Sequence, residues 1–154
     1  MSATFHIILH QPEIPQNTGS IGRLCVNNGA KLHLIHPLGF ETTDYYLRRA
    51  GLDYWERLAP DHYVDWKDFL ARNPTRRLWF FSTKGARKHT EVDWQDGDGL
   101  VFGRETAGLP EEILETYPDQ LVRVPMLGEF HRSLNLAQAV AIGLYEGLRQ
   151  TEGW

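Results

Sequence analysis

The chain has a single cysteine, Cys25, so no internal disulfide can form and a cysteine-rich metal framework is excluded. No apolar run approaches the ~20 residues that a bilayer crossing requires. The opening stretch, MSATFHIILHQPEIP, has neither the basic start nor the small-residue cleavage site of a secretory leader. Positive charge is not in excess: the formal net charge is −4, which argues against binding nucleic acid by bulk charge alone. Local basic patches remain, in Arg48–Arg49 and around Arg76, Arg77, Lys84, Arg87 and Lys88. These features fit a cytoplasmic protein with no membrane and no metal.

Several familiar sites are also missing. No GxGxxG follows the first apolar run, and "STKGAR" lacks the spacing of a phosphate-binding P-loop. His33 and His36 lie three apart on a strand, so they point to opposite faces and make a poor metal pair. His6 and His10 share a face but have no third ligand in view.

What is present is an ordinary globular composition, 42% hydrophobic and 23% charged over 154 residues, enough for one domain with a real core. No repeat or linker interrupts it, so residues 1–154 are read as a single domain. Apolar runs at 4–10, 31–37, 77–83, 99–103 and 120–125 read as strands. Helices are expected from Asn17 or Thr18 to Asn28, where Gly29 is a natural stop, over 45–51, over 66–72, after Pro110, and from Leu136 onward. Strands that are nearly continuous apolar runs, alternating with helices, specify a parallel sheet covered on both faces: an α/β fold. On the last helix Leu136, Ala139, Val140, Gly143, Leu144, Gly147 and Leu148 form one stripe, with Ile142, Tyr145 and Arg149 beside it. A helix with two such stripes usually has two neighbours, the second of which could be a partner subunit.

Three segments stand at strand ends or helix starts, where open α/β sheets place ligands. They are "NTGSIGR" (17–23), "FGRETAGLP" (102–110) and "VPMLGEFHRSLNLA" (124–137). Glycine in such loops lets backbone approach a ligand closely, so two of them could hold an adenosine by main-chain contacts. Taken singly, Gly103 and Gly108 are turn glycines, Ser133 is an N-cap and Arg23 is an exposed helix residue. Their order along the chain is what departs from that bland reading.

In that order the three segments resemble the signature motifs of the SPOUT methyltransferases. "PEIPQNTGSIGRLC", "LRRAGLDYW", "STKG" and "QDGD" are similar to the tRNA (cytidine(34)-2'-O)-methyltransferase type. The resemblance spans almost the whole chain. It implies a parallel-sheet SPOUT fold with a C-terminal trefoil knot, a homodimer, and S-adenosyl-L-methionine as cofactor. It implies methyl transfer to the ribose 2'-hydroxyl of the wobble nucleotide of tRNA, in leucine isoacceptors. By the same resemblance Phe81, Gly103, Glu105, Val124 and Ser133 border the cofactor, and Glu105 and Asn135 hold the loops together. Arg23 matches the catalytic arginine, Asn17 shapes its loop, Asn135 lies nearer the substrate, and Tyr145 sits by the active site and subunit interface. Arg48 and Arg49 are candidates for gripping the anticodon stem-loop.

The stretch between Met126 and Ser133 is a residue longer than this pattern, so Glu129 and His131 take no role from it. Two other readings stand beside this one. The same chemistry could act on another tRNA or rRNA ribose, or the fold could serve as a catalytically silent RNA-binding module.

Overall fold

The computed structural model describes residues 2–154 apart from 46, 48, 50–53, 130 and 131. Seven strands form one sheet in the order β3-β2-β1-β6-β4-β7-β5, and every pairing is parallel. They are β1 (His6–His10), β2 (Lys31–Ile35), β3 (Asp61–Tyr63), β4 (Leu78–Phe81), β5 (Arg87–Lys88), β6 (Gly99–Phe102) and β7 (Leu121–Arg123). The helices are α1 (Pro15–Asn28), α2 (Tyr54–Leu58), α3 (Trp66–Arg72), α4 (Glu111–Thr116) and α5 (Leu136–Glu152). The helix expected over 45–51 lies largely outside the described residues, although Leu47 is buried in the core.

Alternate residues of the central strands serve two separate cores, as the two-residue period of a strand requires. Ile7, Leu9, Leu32, Leu34, Leu100 and Phe102 face α1 and α5. Ile8, Ile35, Phe80 and Val101 face Phe69 of α3 and Ile113 and Leu114 of α4. Cys25 is buried on the α1 side, where removal from water pushes its thiol up to about 12, so it is no nucleophile.

The strands at 77–83 and 120–125 are shorter than expected, and β3, β5 and α2 are among the described elements that the sequence pattern does not indicate. Both missed strands are two- or three-residue polar edge strands, which carry no apolar run to betray them. α1 also begins earlier than expected. Its N-cap is Ile14, with Pro15 in the first turn, and neither Asn17 nor Thr18 is a cap. Gly29, at φ 64°, ends it as anticipated.

On α5 two glycines let the helix settle on the sheet. A Cβ at Gly143 would meet Phe81 Cζ at 2.7 Å, and one at Gly147 would meet Phe5 Cζ at 2.9 Å. Of the predicted stripe only Ala139 is not fully buried. The second stripe is on the surface, with Ile142 and Tyr145 38% and 45% exposed.

The histidines pair in a way their spacing concealed. His6 Nδ1 lies 2.8 Å from His33 Nε2, and His33 Nδ1 lies 2.8 Å from the Tyr63 hydroxyl. Burial is the main cause that lowers His6, His10 and His33 to about 4. The 3.9 Å approach of Asp61 to His33 is therefore not an ion pair at neutral pH. The unfolded chain takes up protons near pH 6.5 while the folded chain refuses them until about pH 4. Stability should then be complete above the unfolded value and fall as pH drops through that window. The buried rings of His10 and His33 each contribute a slope of up to about 1.4 kcal/mol per pH unit, and the half-buried His6 contributes less. Chemical denaturation between pH 6.5 and 5, ahead of most carboxylates, checks this; a flat profile there would refute it.

Candidate active site

β6 ends in a tight turn. Gly108 N–H donates to the Arg104 carbonyl at 2.9 Å, and Gly108 adopts φ +69°. Gly103 lies so close beneath this turn that a Cβ on it would stand 2.0 Å from the Gly108 carbonyl carbon. The turn throws Glu105 across to the start of α1. There its carboxylate accepts the backbone N–H groups of Glu13 and Ile14, both at 2.8 Å. The helix that lacks a side-chain cap of its own is thus capped by a residue 91 positions away.

The clasp is reciprocal. Glu13 accepts from the Thr106 hydroxyl at 2.7 Å and from Thr106 N–H at 3.0 Å. These bonds, side chain first and then backbone, hold the Glu13 carboxyl below the usual carboxylate range.

Asn17 carries the tie onward. Its amide donates to Glu105 at 3.3 Å, and its oxygen accepts from the Asn135 amide at 3.1 Å. Asn135 also caps α5, accepting from Gln138 N–H at 3.2 Å. The polar entrance to the last helix is thereby explained: Asn135, not Ser133, is the cap, and it joins the third segment to the other two. Glu105→Gln leaves one oxygen for two backbone donors, with an expected cost of about 1–2 kcal/mol. A lowered Tm checks it, and an unchanged Tm would show that the clasp holds nothing.

Beside the clasp is a cavity of about 270 Å³ at the carboxyl ends of the adjacent strands β6, β4 and β7. All five residues assigned to the cofactor from sequence line it: Phe81, Gly103, Glu105, Val124 and Ser133. Phe81 stacks on Phe102 at 4.5 Å and backs onto Gly143, so its ring is a fixed wall. Leu109, Leu114 and Met126 add apolar lining, while Thr83, Lys84 and Arg104 add polar groups. Thr83 and Lys84 belong to "STKG", one of the stretches that carry the resemblance, although neither is assigned a role from sequence. A second hollow shares Thr83, Val124, Met126 and Ser133 with the first and adds Arg123 and Arg132.

The other sequence-assigned residues are not on this wall. Arg23 is exposed on α1 with its guanidinium 5.7 Å from the Tyr54 ring centre. Tyr145 is on the outer face of α5, 6.2 Å from the Trp154 ring. Arg49 is exposed and donates to the Tyr45 hydroxyl at 2.8 Å. Arg48 and His131 lie outside the described residues. Among the described residues no group of three or more histidine, cysteine or acidic side chains could hold a metal ion. Among them, too, no helix is long and apolar enough to cross a membrane.

Comparison with known proteins bears on this geometry. Residues 4–145 match the SpoU rRNA Methylase family. The chain is 51% identical over 147 residues to a tRNA (cytidine(34)-2'-O)-methyltransferase of Saccharophagus degradans, covering 95% of each. It is 49% identical over 146 residues to the protein of that name from Escherichia coli, covering 94% of this chain and 92% of that one. A solved structure concerned with 2-OH methylation of C/U34 on tRNA superposes with a TM-score of 0.94 at 41% identity, covering 99% of both chains. The methyltransferase AviRb of Streptomyces viridochromogenes, in complex with AdoMet, gives 0.81 at 27% identity, covering 97% of this chain and 58% of that one.

Proposed function

The chain belongs to the SpoU rRNA Methylase family, and from that premise we propose that it transfers a methyl group from S-adenosyl-L-methionine to tRNA. The acceptor is the ribose 2'-hydroxyl of the cytidine or uridine at position 34, the wobble nucleotide, in leucine isoacceptors. The observation that carries this reading is the cavity at the ends of β6, β4 and β7, in which all five sequence-assigned cofactor residues meet. Near-full-length relatives bearing that name supply the substrate.

The cavity fits the cofactor by its chemistry. Phe81, Phe102, Leu109 and Leu114 offer an adenine an apolar slot, and the close-packed turn at Gly103 brings main-chain groups to its edge. When bound, the cofactor supplies a methyl group already electrophilic on its sulfonium. What remains for the protein is to align the hydroxyl and ease loss of its proton. Glu105, Asn17 and Asn135 keep the three loops in one arrangement. Arg23 offers a planar cationic donor to the hydroxyl or its neighbouring phosphate, which lowers the cost of developing negative charge.

Arg23 and Tyr145 stand apart from the cavity wall, which supports a homodimer in which a second copy completes the site. The exposed Ile142 and Tyr145 stripe of α5 is the face on which that copy docks. The same reading makes the chain a single cytoplasmic domain whose C-terminal strand, loop and helix form a trefoil knot. Arg49, with Arg48, grips the anticodon stem-loop. Calorimetry with S-adenosyl-L-methionine, followed by labelled transfer to total tRNA and to rRNA, tests the proposal. Transfer to tRNA alone is expected. Transfer to rRNA alone would move the target, and no cofactor binding would leave a silent RNA-binding module.

A further inference from the structure

At the opposite end of the sheet lies a hollow of about 490 Å³ that the methyl-transfer reading does not use. His6 opens β1, Lys31 opens β2 and Asp61 opens β3, and all three line it. Arg57 reaches it from α2, Arg72 from the end of α3, and Arg76 from just before β4. Four cationic side chains thus face one carboxylate, in a chain whose net charge is −4.

Two of the cations are fixed. Arg76 donates to Asn73 Oδ1 through Nε at 3.2 Å and Nη2 at 3.1 Å, and to the Gly97 carbonyl at 3.1 Å. Arg72 lies 4.2 Å over the Tyr63 ring and donates to the His62 carbonyl at 2.9 Å. Lys31 and Arg57 are exposed, and among the described residues neither they nor Arg76 has an ion pair. The line His6–His33–Tyr63 is completed by the Asn73 amide, which donates to the Tyr63 hydroxyl at 3.2 Å. Arg76 and Lys31 both add to burial in disfavouring charge on His6, which shows a positive local potential. Arg72 is paired with Asp68 at 3.4 Å, but Lys31, Arg57 and Arg76 share only Asp61 among the lining carboxylates, a balance that favours a bound anion.

We propose that this hollow is a phosphate site that holds the backbone of the RNA substrate away from the reacting nucleotide. The proposal rests on the methyl-transfer reading for the identity of that RNA. Helix α2 supplies the connection. It carries Tyr54 beneath Arg23 and, three residues on, Arg57 in the hollow, a rise of about 4.5 Å along the axis. A strand whose phosphates pass Arg23 is thereby led to Arg57 and Lys31.

The test uses the full chain with Lys31→Gln and Arg57→Gln together, both surface changes. Binding of an anticodon stem-loop is followed by fluorescence anisotropy across a salt series, with methyl-transfer kinetics in parallel. The expected result is an affinity about ten-fold weaker at low salt and a log–log salt slope shallower by about 1–2. The KM for tRNA should rise while kcat stays unchanged. Unaltered affinity and slope would overturn the proposal. Inorganic pyrophosphate, titrated while the His6 and His33 ring signals are followed by NMR, separates the sources. A response lost in the double variant while stem-loop binding stays normal would mean a free phosphate and would overturn the RNA assignment. If instead the unmodified chain methylates no tRNA, the functional reading fails, yet the binding comparison still decides whether the hollow holds RNA phosphate.

Discussion

Gly103→Ala is expected to abolish measurable cofactor binding and, with it, methyl transfer. The added Cβ would stand 2.0 Å from the Gly108 carbonyl carbon, 2.2 Å from Leu109 N and 2.5 Å from the Gly108 oxygen. All three are backbone atoms, so no side-chain rotation relieves the clash, and the turn itself must open. Opening it breaks the Arg104–Gly108 bridge and swings Glu105 away from Glu13 and Ile14. The change therefore strikes the cavity wall and the clasp together. Gly108→Ala is the control: it meets open space but keeps φ +69°, for a strain of roughly 1–2 kcal/mol. Calorimetry with S-adenosyl-L-methionine reads both. Affinity retained within about three-fold in Gly103→Ala would mean that the loop tolerates a rearrangement inconsistent with this account.

Arg23→Lys is expected to lower kcat by at least about 100-fold, some 3 kcal/mol of transition-state stabilisation, and to leave cofactor affinity unchanged. Lysine keeps the positive charge and loses the planar fork that can hold two oxygens at once. Arg23 does not line the cavity, so cofactor binding has no reason to respond. Single-turnover transfer and cofactor titration separate the two effects. Normal turnover would remove Arg23 from the mechanism, and lost cofactor affinity would mean that its role is structural.

Much of this site is legible in the sequence because its residues sit in three short segments whose order is informative. The glycines of "FGRETAGLP" suggest close approach of backbone to a ligand; at Gly103 the close approach in the structure is to the backbone of Gly108 and Leu109. The helix expected over 66–72 has those bounds in the structure, where the Asp65 side chain caps it by accepting from Asp68 N–H. What could not be read was long-range. Glu105 caps α1 from the far end of a different strand, so the local pattern suggested Asn17 or Thr18 instead. The His6–His33 contact depends on register: Ile8 pairs with His33 and His6 with Lys31, which places the two histidines diagonally. Nothing in their spacing announces that. The edge strands β3 and β5 are imposed by the sheet rather than by their own residues, and with β3 comes Tyr63, the partner of His33.

The most direct test is to locate the transferred methyl group. tRNA from cells lacking the protein is incubated with the purified chain and labelled S-adenosyl-L-methionine, then digested to nucleosides and mapped. The account predicts label in a 2'-O-methylated nucleoside at the wobble position, appearing at least about 100-fold more slowly with Arg23→Lys. Label confined to any other position would contradict it.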